Sequence, residues 1–535
     1  MTDFVLPSVL VPAAVEWRLV DNAVVLNSPL NGVTRTSQTS GTRWAVQLRF
    51  DAVTGDRRNL LMSLLASLRG REGRLWIRDD STITRGAMSV AELFLNTNLD
   101  ALTGWNTYAQ FTASVRNNAL RAIRVDGANT AYPFYHGSEN FPQYQPFACR
   151  AVVRSNPPNR VDVYEFGSDI GQTVGSFSTI ASGSGHGVAY GTPYLAPSFW
   201  TLGTFSAVTG KAGDTIDLLY ASGARCLLVD NGSNTATFSD QVDNAAWTKN
   251  NCTVPVTTDL APDNFSDARR VREASDVAQA HFVDRTITRT SAARDLCTFG
   301  YFKRGAGTRD IRILAGSTGT NYSQVTFDLN AGTFGTILNN GTTTNGRAFM
   351  ADAGNGWWFC AIVSFNAAST TQYFQALLVN AGSSVYNGDG SAGVDFWRIG
   401  CAVGSVPGRG GIETTTTANA TGISQSGSSL SIKGGPASID GALVAGDMAE
   451  IITSAKVAEC TSQLVRLTAD LDIDAAGCGT MQFEQPLRTP PIEDAPVIVC
   501  KPMMRCILAS AELGVATERG LVSDFVLELI EDTTT

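Results

Sequence analysis

The sequence predicts a mainly β protein, in which a discontinuous β-domain of strands and one helix, built from both termini, carries two inserted β-sandwich modules. Three observations predict this fold. Glycine is abundant, with 51 residues among 535, while only 17% of residues are charged, a balance typical of many short strands joined by turns. The strand pattern of the N-terminal segment returns near the C-terminus. Between these two segments, a set of sequence landmarks occurs twice.

Residues 1–88 are predicted to form the first part of the β-domain. Leucines recur at helical spacing over 56–68, which predicts one helix, with Thr54 placed to cap its start and Gly70 to end it. Short apolar runs predict strands at 15–19, 24–26, 44–50 and 75–77.

Residues 90–412 contain two copies of one module. LDALTGW at 99–105 corresponds to VDNAAW at 242–247, FACRAVVRS at 147–155 to CTFGYFKRG at 297–305, and RVDVYEFGS at 160–168 to RDIRILAGS at 309–317. The three pairs keep nearly the same spacing, so we expect one module over 90–232 and a second over 233–412. Each is predicted to be a two-sheet β-sandwich whose alternating side chains fill the space between the sheets.

Residues 413–535 are predicted to hold a linker and the second part of the β-domain. A Thr-, Ala- and Ser-rich segment at 414–429 is typical of a linker. A strand over 429–434 is expected to pair with one over 448–453. Because an exposed loop tolerates an inserted domain at little cost, we expect both ends of the chain to fold together. Further strands are predicted at 464–474, 481–483, 497–500, 505–509 and 525–530.

The composition argues against several classes of protein. The net charge of −9 disfavours a nucleic-acid groove, which needs a basic stripe, and fits a small polar ligand or a neutral glycan. The ten cysteines include no CxxC pair, and most lie in apolar runs, as expected of buried free thiols in a reducing compartment. The N-terminal segment lacks a basic region and a cleavage site, and no stretch approaches the ~20 apolar residues of a membrane span. We therefore expect no secretory signal and no membrane insertion.

Short motifs follow one another along the second module: DNAAWTKNNCTV at 243–254, APD at 261–263, YFKRGAGTR at 301–309, FDL at 327–329, GNGWWFC at 354–360 and YNGDGSAGVDFW at 386–397. In this order they resemble the lectin-like, carbohydrate-binding jelly-roll modules that tailed-phage tail proteins carry. The resemblance implies a galactose-binding or lectin-like jelly roll that binds glycans on the host surface.

The two terminal segments carry SPLNGVTRTSQTSGTRW at 28–44, GREGRLWIRD at 70–79 and LTADLDIDAAGCGTMQFEQPLRTPPIEDAPVI at 467–498. They resemble the distal-tail and minor-tail proteins of siphophages, whose β-domain forms a ring around the tail axis. The resemblance implies a virion protein of the tail tip or baseplate, made in the host cytoplasm. It would form a ring with itself, a hexamer being favoured and a trimer the alternative. Its partners would be the tail tube and baseplate hub proteins, with nucleic acid contacted only in the tail lumen.

The sequence predicts no catalytic site. Its three histidines, His136, His186 and His281, belong to no HExxH motif and lie near no obvious nucleophile. Asp389 and Asp395 are interpreted as turn residues or, alternatively, as oxygen ligands of a structural calcium ion. No other cofactor and no catalytic metal is expected.

The densest aromatic stretch, YPFYHGSENFPQYQPF at 132–147, is the leading candidate for glycan contact. Sugars present C–H patches that pack on aromatic rings and hydroxyls that need polar partners. Its three prolines argue against a regular central strand. The alternative is a loop that folds its aromatics onto its own sandwich. The candidate carbohydrate-binding residues here are Tyr132, Tyr135, His136, Asn140 and Tyr144.

Trp358 and Trp397 complete the candidate set. Consecutive strand residues point to opposite faces, so one of Trp357 and Trp358 is expected in the core while the other faces solvent or a ligand. Trp397 alternates with its neighbour Phe396 in the same way. Core packing is the alternative for each of these tryptophans.

Arg304, Arg309 and Arg312 form a basic strip that is either a solvated strand face or a site for an acidic glycan.

Taken with the resemblance, these features predict a structural tail-tip protein whose modules bind host-surface glycans without catalysis. Two alternatives stay open. One is a minor tail or hub protein whose modules are architectural and bind tail fibres or receptor-binding proteins. The other is a glycan-degrading enzyme that uses the modules for targeting.

Overall fold

The computed structural model is mainly β, as predicted, with several sheets and one helix in the part of the chain that it describes. The structure describes residues 3–7, 9–20, 24–27, 34–37, 42–79, 87–88, 105–106, 111–116, 119–124, 131–139, 146–156, 160–166, 171–178, 184–191, 198–204, 215–255, 260–264, 268–404, 407–408, 414, 417, 424–453, 462–510, 516–517 and 523–533.

The elements fall into four groups along the chain. The first is β1 (Asp3–Val5), β2 (Ala14–Val20), β3 (Val24–Asn27), β4 (Thr34–Ser37), β5 (Arg43–Val53), α1 (Gly55–Leu68) and β6 (Arg74–Arg78). The second is β7 (Trp105–Asn106), β8 (Phe111–Arg116), β9 (Ala119–Arg124), β10 (Ala131–Glu139), β11 (Phe147–Asn156), β12 (Arg160–Phe166), β13 (Gly171–Ser178), β14 (Ser184–Gly191), β15 (Ser198–Thr204), β16 (Thr215–Arg225) and β17 (Leu227–Val229).

The third group is β18 (Thr248–Asn250), β19 (Cys252–Thr253), β20 (Arg269–Glu273), β21 (Gln279–Ala280), β22 (Phe282–Arg304), β23 (Asp310–Gly316), β24 (Tyr322–Asp328), β25 (Thr333–Phe334), β26 (Leu338–Asn340), β27 (Thr344–Gly354), β28 (Trp357–Val379), β29 (Val385–Tyr386) and β30 (Gly393–Val403). The fourth is β31 (Ser429–Lys433), β32 (Ile439–Leu443), β33 (Met448–Ile452), β34 (Ser462–Arg466), β35 (Leu471–Ile473), β36 (Gly479–Gln482), β37 (Pro496–Ile498), β38 (Met503–Leu508), β39 (Ala516–Thr517) and β40 (Ser523–Glu531).

The two ends of the chain share one sheet, which we call the terminal sheet. Its strands lie in the order β1-β6-β38-β40-β5-β2, with β39 paired to β40, so N-terminal strands are interleaved with C-terminal ones. Alternate residues of β5, from Trp44 to Phe50, are buried in one core with the apolar residues of β40 and α1. This sheet is the discontinuous β-domain that the sequence predicts.

Helix α1 contributes leucines to the core of the terminal sheet. Thr54 occupies the N-cap position with extended backbone, but its side chain makes no capping hydrogen bond. At the other end, Arg69 adopts a left-handed conformation with φ of 46°, and Gly70 follows with φ of 67°. The helix is thus where its leucine spacing places it, with both ends set by backbone geometry. Its buried residues are Leu61, Leu64, Leu65 and Leu68.

A second sheet, the C-terminal sheet, has the order β34-β33-β37-β17-β31-β36. The predicted pairing of 429–434 with 448–453 is wrong: β31 pairs with β17 and β36, while β33 pairs with β34 and β37. β17 lies inside the range predicted for the first module, yet it completes this sheet. The reason is that Leu227 and Val229 are fully buried in the core of the C-terminal sheet. The segment predicted as one strand at 464–474 forms β34 and β35.

The strand order of each five-stranded layer of sandwich 1 (β7–β16) recurs in sandwich 2 (β18–β30), where β25 and β26 extend one layer beside β24 and β27 extends the other beside β28. The two sheets of sandwich 1 are β13-β12-β15-β10-β7 and β14-β11-β16-β9-β8. In sandwich 2, β24-β23-β28-β22-β18 repeats the first order and β28-β22-β30-β20-β19 the second. Two of the recurring landmark pairs lie on equivalent strands: 147–155 and 297–305 on β11 and the C-terminal half of β22, and 160–168 and 309–317 on β12 and β23.

β22 and β28 each have 23 residues and take part in both layers of sandwich 2. The N-terminal half of β22 pairs with β18 and with the C-terminal half of β28, whereas its C-terminal half pairs with β30 and with the N-terminal half of β28. The register shifts between Thr288 and Arg294, where the strands pass from one layer to the other. In sandwich 1, separate strands take these places. β10 and β11 correspond to the N-terminal and C-terminal halves of β22, and β14 and β15 correspond to the N-terminal and C-terminal halves of β28.

Each sandwich packs on the rest of the protein through the same one of its two layers. In sandwich 1, Val152 of β11 packs with Trp76 and Met503 of the terminal sheet. In sandwich 2, Tyr301 lies in one cluster with Cys478, which follows β35. We call the β28-β22-β30-β20-β19 layer of sandwich 2 its docked layer, and the β24-β23-β28-β22-β18 layer its open layer.

Candidate functional site

The predicted aromatic stretch lies partly within the described residues. Tyr132, Tyr135 and His136 belong to β10, whereas Asn140 and Tyr144 lie outside the residues that the structure describes. β10 occupies the place in sandwich 1 that the N-terminal half of β22 occupies in sandwich 2. The predicted residues on β10 therefore belong to the layer equivalent to the open layer.

Over its described residues this stretch forms a central strand, but an irregular one, since the register against β15 shifts twice. β10 includes Pro133 and pairs with β15 on one side and β7 on the other. The register against β15 shifts between Ala131 and Phe134. Because a bulge removes the need for a ladder hydrogen bond at the extra residue, the strand accommodates a proline that has no N–H to donate.

Trp357 and Trp358 pack on opposite faces of the docked layer, as strand alternation predicts. Trp357 is fully buried, and its indole nitrogen donates to the Leu260 carbonyl at 3.0 Å. Trp358 is half-buried against the sandwich core and donates to the Leu329 carbonyl at 2.9 Å. Gly332, with φ of 68°, lies on the Trp358 ring, and a Cβ there would be 2.3 Å from a ring atom. The 329–332 turn thus covers part of the Trp358 ring.

Trp397 lies between the docked layer and the C-terminal region and is only 3% exposed. The Tyr301 ring meets it edge-on at 5.0 Å, and the Arg398 guanidinium lies 4.1 Å from its centroid. This face of the strand is covered by another part of the protein. Trp397 therefore packs as a core residue and presents no ring to a ligand from solvent.

The two carboxylates considered as calcium ligands are both engaged by the protein. Asp395 is fully buried and accepts two hydrogen bonds from Arg270, at 2.7 and 2.9 Å. Asp389 accepts hydrogen bonds from the Ala392 amide and from the Ser391 amide and hydroxyl, which lower the pKa of its carboxyl to about 2. These bonds close the turn before β30. Among the described residues, no group of three His, Cys, Asp or Glu side chains is placed to hold a metal ion.

Two of the three arginines in the predicted basic strip are held by carboxylates. Arg304 lies 2.7 Å from Asp310, and Arg309 forms two hydrogen bonds with the buried Glu273 carboxylate, at 2.7 and 2.8 Å. Arg312 differs, because it forms no ion pair with a carboxylate of the described residues. The strip is therefore not one basic surface.

The open layer of sandwich 2 presents a face of aromatic and polar side chains, which we call the open face. Strand register arranges it in three rows across β22, β28, β23 and β24. The middle row is Asp284, Gln375, Leu314 and Gln324. The row nearer the 316–322 turn is Thr286, Tyr373, Gly316 and Tyr322, and the row on the other side is Phe282, Leu377, Arg312 and Thr326.

The open face lies on the side of the sheet opposite the sandwich core. Ile313, Val325 and Ala376 alternate with its residues and are buried in that core. On the open face itself, Tyr322 and Tyr373 are only half-buried. These side chains are therefore available to a ligand from solvent.

Hydrogen bonds on its hydroxyl hold Tyr373 in place. The hydroxyl donates to the Asp284 carboxylate at 2.7 Å and accepts from the Gln375 amide at 3.0 Å. Burial and the bond to Asp284 raise the pKa of Tyr373, so the phenol remains protonated at neutral pH. A ring fixed in this way loses little conformational entropy when a ligand packs on it.

Glycine separates the two tyrosines of the open face. Gly316 pairs with Tyr322 on one side and Tyr373 on the other. A Cβ at this position would lie 2.6 Å from the Tyr322 Cα, so a larger residue does not fit. The 321–322 backbone occupies this space, so Gly316 allows β23 and β24 to approach closely, with Tyr322 and Tyr373 on either side of it in one row of the open face.

The sequence carries a signal for this face that aromatic density does not reveal. In YFQALLV at 373–379 and YSQVTFD at 322–328, several polar or aromatic residues alternate with buried apolar ones. The two segments are not adjacent strands. Only the placement of β23 between β28 and β24 brings Tyr373 and Tyr322 to the same face.

No protein-family model and no curated protein matches the chain. Among solved structures it is similar to the N-terminal CBM22-1–CBM22-2 tandem domain of Xyn10C from Paenibacillus barcinonensis, at 10% identity and a TM-score of 0.23, over 60% of this chain and 99% of that one. It is also similar to the tandem CBM51 modules of Sp3GH98 from Streptococcus pneumoniae SP3-BS71, at 9% identity and a TM-score of 0.16, over 60% and 99% of the two chains.

A third similar structure holds the M60 catalytic domain with the CBM51-1 and CBM51-2 domains of ZmpB from Clostridium perfringens, at 8% identity and a TM-score of 0.17, over 72% of this chain and 43% of that one. No helix in the described ranges is long and apolar enough to cross a membrane.

Proposed function

We propose that the protein binds a glycan through the open face of sandwich 2. The observation that supports this most directly is Tyr373, held by Asp284 and Gln375, with Tyr322 in the same row of the open face. Tyrosine rings pack on the C–H patches of a sugar, and amide and carboxylate groups bond to its hydroxyls. The proposal needs no catalytic step.

Sandwich 1 is proposed to supply a second glycan contact. Tyr132, Tyr135 and His136 lie on β10, in the layer equivalent to the open layer. In sandwich 1, as in sandwich 2, the other layer packs on the rest of the protein. Both sandwiches would then use the same layer for binding, with the predicted residues of β10 in the first and Tyr373 in the second.

In the wider proposal, the chain is a structural protein of a phage tail tip that assembles into a ring. The terminal sheet supports this, because it joins both ends of the chain and its edge strand β2 leaves Val15 and Leu19 exposed at 45% and 37%. A neighbouring subunit would cover this edge. Several subunits with two modules each would convert weak glycan contacts into firm attachment, with avidity gains of about 10²-fold or more.

A glycan array probed with the full-length chain tests the binding role. We expect binding to a subset of bacterial surface glycans, and a loss of about tenfold or more in affinity for Tyr373→Ala, since the ring and its hydrogen bonds are removed together. A flat array across these glycans would reject the proposal and favour modules that contact tail fibres or receptor-binding proteins.

Phe334→Ala is a matched control for this experiment. Phe334 is an aromatic residue of the same sandwich, is 45% exposed, and pairs with Phe327, whose side chain lies in the core and not on the open face. Its loss should leave glycan affinity unchanged. An equal loss for both variants would mean that Tyr373 acts through the stability of the sandwich.

A further inference from the structure

We infer that the glycan on the open face carries a carboxylate and that Arg312 binds it. This inference rests on the glycan-binding role proposed above and narrows it to acidic glycans. The net charge of −9 suggests a neutral glycan instead. A direct contact between Arg312 and a ligand carboxylate nevertheless outweighs the protein's distant negative charges, because salt screens those charges.

Arg312 has spare hydrogen-bonding capacity. Its Nε donates to the Thr326 hydroxyl at 2.9 Å, one Nη to the Ser384 hydroxyl at 3.1 Å and the other to the Gly382 carbonyl at 3.2 Å. A guanidinium has five N–H groups in a planar fork. Two of them therefore remain without a partner among the described residues, on a side chain that the other three bonds hold in position.

The charge of Arg312 is also uncompensated. Burial lowers the pKa of its guanidinium, since the half-buried cation is partly withdrawn from water. Removing a charge from water without a counter-charge is unfavourable, and a bound anion would reverse this. Most other arginines of sandwich 2 already have such an anion: Arg269, Arg270, Arg304, Arg309, Arg347 and Arg398 each form an ion pair.

The position of Arg312 on the open face suits a ligand that also reaches the tyrosines. Arg312 and Gly316 lie on β23, four residues apart, which corresponds to roughly 13 Å along a strand. Asp284, the carboxylate of the middle row, lies two strands away across β28. A ligand carboxylate at Arg312 thus stays clear of Asp284, while a neighbouring sugar ring reaches the pair of tyrosines.

The test compares acidic glycans with the same glycans after chemical reduction of their carboxyl groups to alcohols, using the full-length chain and isothermal titration calorimetry. We expect the acidic forms to bind about ten- to a hundredfold more tightly, the range for a hydrogen bond to a charged group. Arg312→Gln should abolish this difference by lowering the affinity for the acidic forms. Arg312→Lys should restore part of it, because lysine keeps the charge but lacks the fork.

Arg269→Gln is the matched control, since it removes the same charge from the same sandwich at an ion pair outside the open face. It should retain the preference for acidic forms. One outcome is that the parent binds acidic and reduced forms with equal affinity and that Tyr373→Ala loses the binding of both forms. This would overturn the role of Arg312 and leave the glycan-binding role intact. Absence of binding to either form would overturn both.

Discussion

Arg150 of β11 and Glu450 of β33 form an ion pair in which the two side chains are only 2% and 0% exposed. The same carboxylate accepts a hydrogen bond from the Met503 amide of β38 at 2.8 Å. Sandwich 1, the C-terminal sheet and the terminal sheet therefore meet at one buried group. This contact fixes sandwich 1 through the layer that contains β11.

Arg150→Met is expected to destabilise the protein by about 3–5 kcal/mol, because it leaves the Glu450 carboxylate buried without a counter-charge. The double variant Arg150→Met, Glu450→Gln should recover much of this loss, since glutamine is neutral and still accepts from the Met503 amide. Urea unfolding of the two variants and the parent measures the difference. A single variant as stable as the double one would contradict the prediction.

Gly332→Ala is expected to cost about 1–3 kcal/mol more than Gly354→Ala. Both glycines have a positive φ, of 68° and 80°, so both substitutions carry the same backbone strain. They differ because a Cβ at 332 would lie 2.3 Å from the Trp358 ring, whereas one at 354 meets nothing within 4 Å. Thermal unfolding, followed by tryptophan fluorescence, compares them. Equal losses would show that the ring moves aside freely.

Glu493 is expected to make stability depend on pH. Burial, with repulsion from Asp494 and Asp230, raises the pKa of its carboxyl from 4.5 to about 7, although Lys433 acts in the opposite direction. The folded chain then holds this proton to a higher pH than the unfolded chain does. Stability from this group is therefore complete below about pH 4.5 and falls as the pH rises to about 7.

Glu493→Gln should remove that fall, since its amide does not titrate. The quantity to measure is the difference in unfolding free energy between variant and parent from pH 4 to 8, because other carboxyl groups contribute equally to both. If the difference in unfolding free energy does not change with pH, Glu493 does not cause the pH dependence of stability.

Val15→Lys is expected to oppose assembly of the proposed ring and to leave smaller species than the parent forms. Val15 lies on the edge strand β2, where it faces the same side as the buried Leu48 but is 45% exposed. A lysine there opposes strand-edge contact between subunits. Light scattering after size-exclusion chromatography measures the mass. Val277→Lys, at a residue that is 75% exposed in sandwich 2, is the control and should not change it.

Local patterns in the sequence were sufficient for the helix and for the repeat. The leucines of α1 are buried at their helical spacing, and the neighbours Trp357 and Trp358 pack on opposite faces of one strand. Two of the duplicated landmark pairs lie on equivalent strands because each copy repeats the same succession of apolar runs and turns. Each of these features depends on residues that are close in the sequence.

The neighbours of each strand were decided only by the tertiary structure. β31 pairs with β17, which precedes it by the whole of sandwich 2, and not with the nearby β33. Tyr373 and Tyr322 share a face only because β23 lies between their strands, and Trp397 loses its exposure to a distant segment around Cys478. The physical reason is that an alternating strand specifies which of its side chains seek burial. It does not specify which distant strand or segment provides that burial.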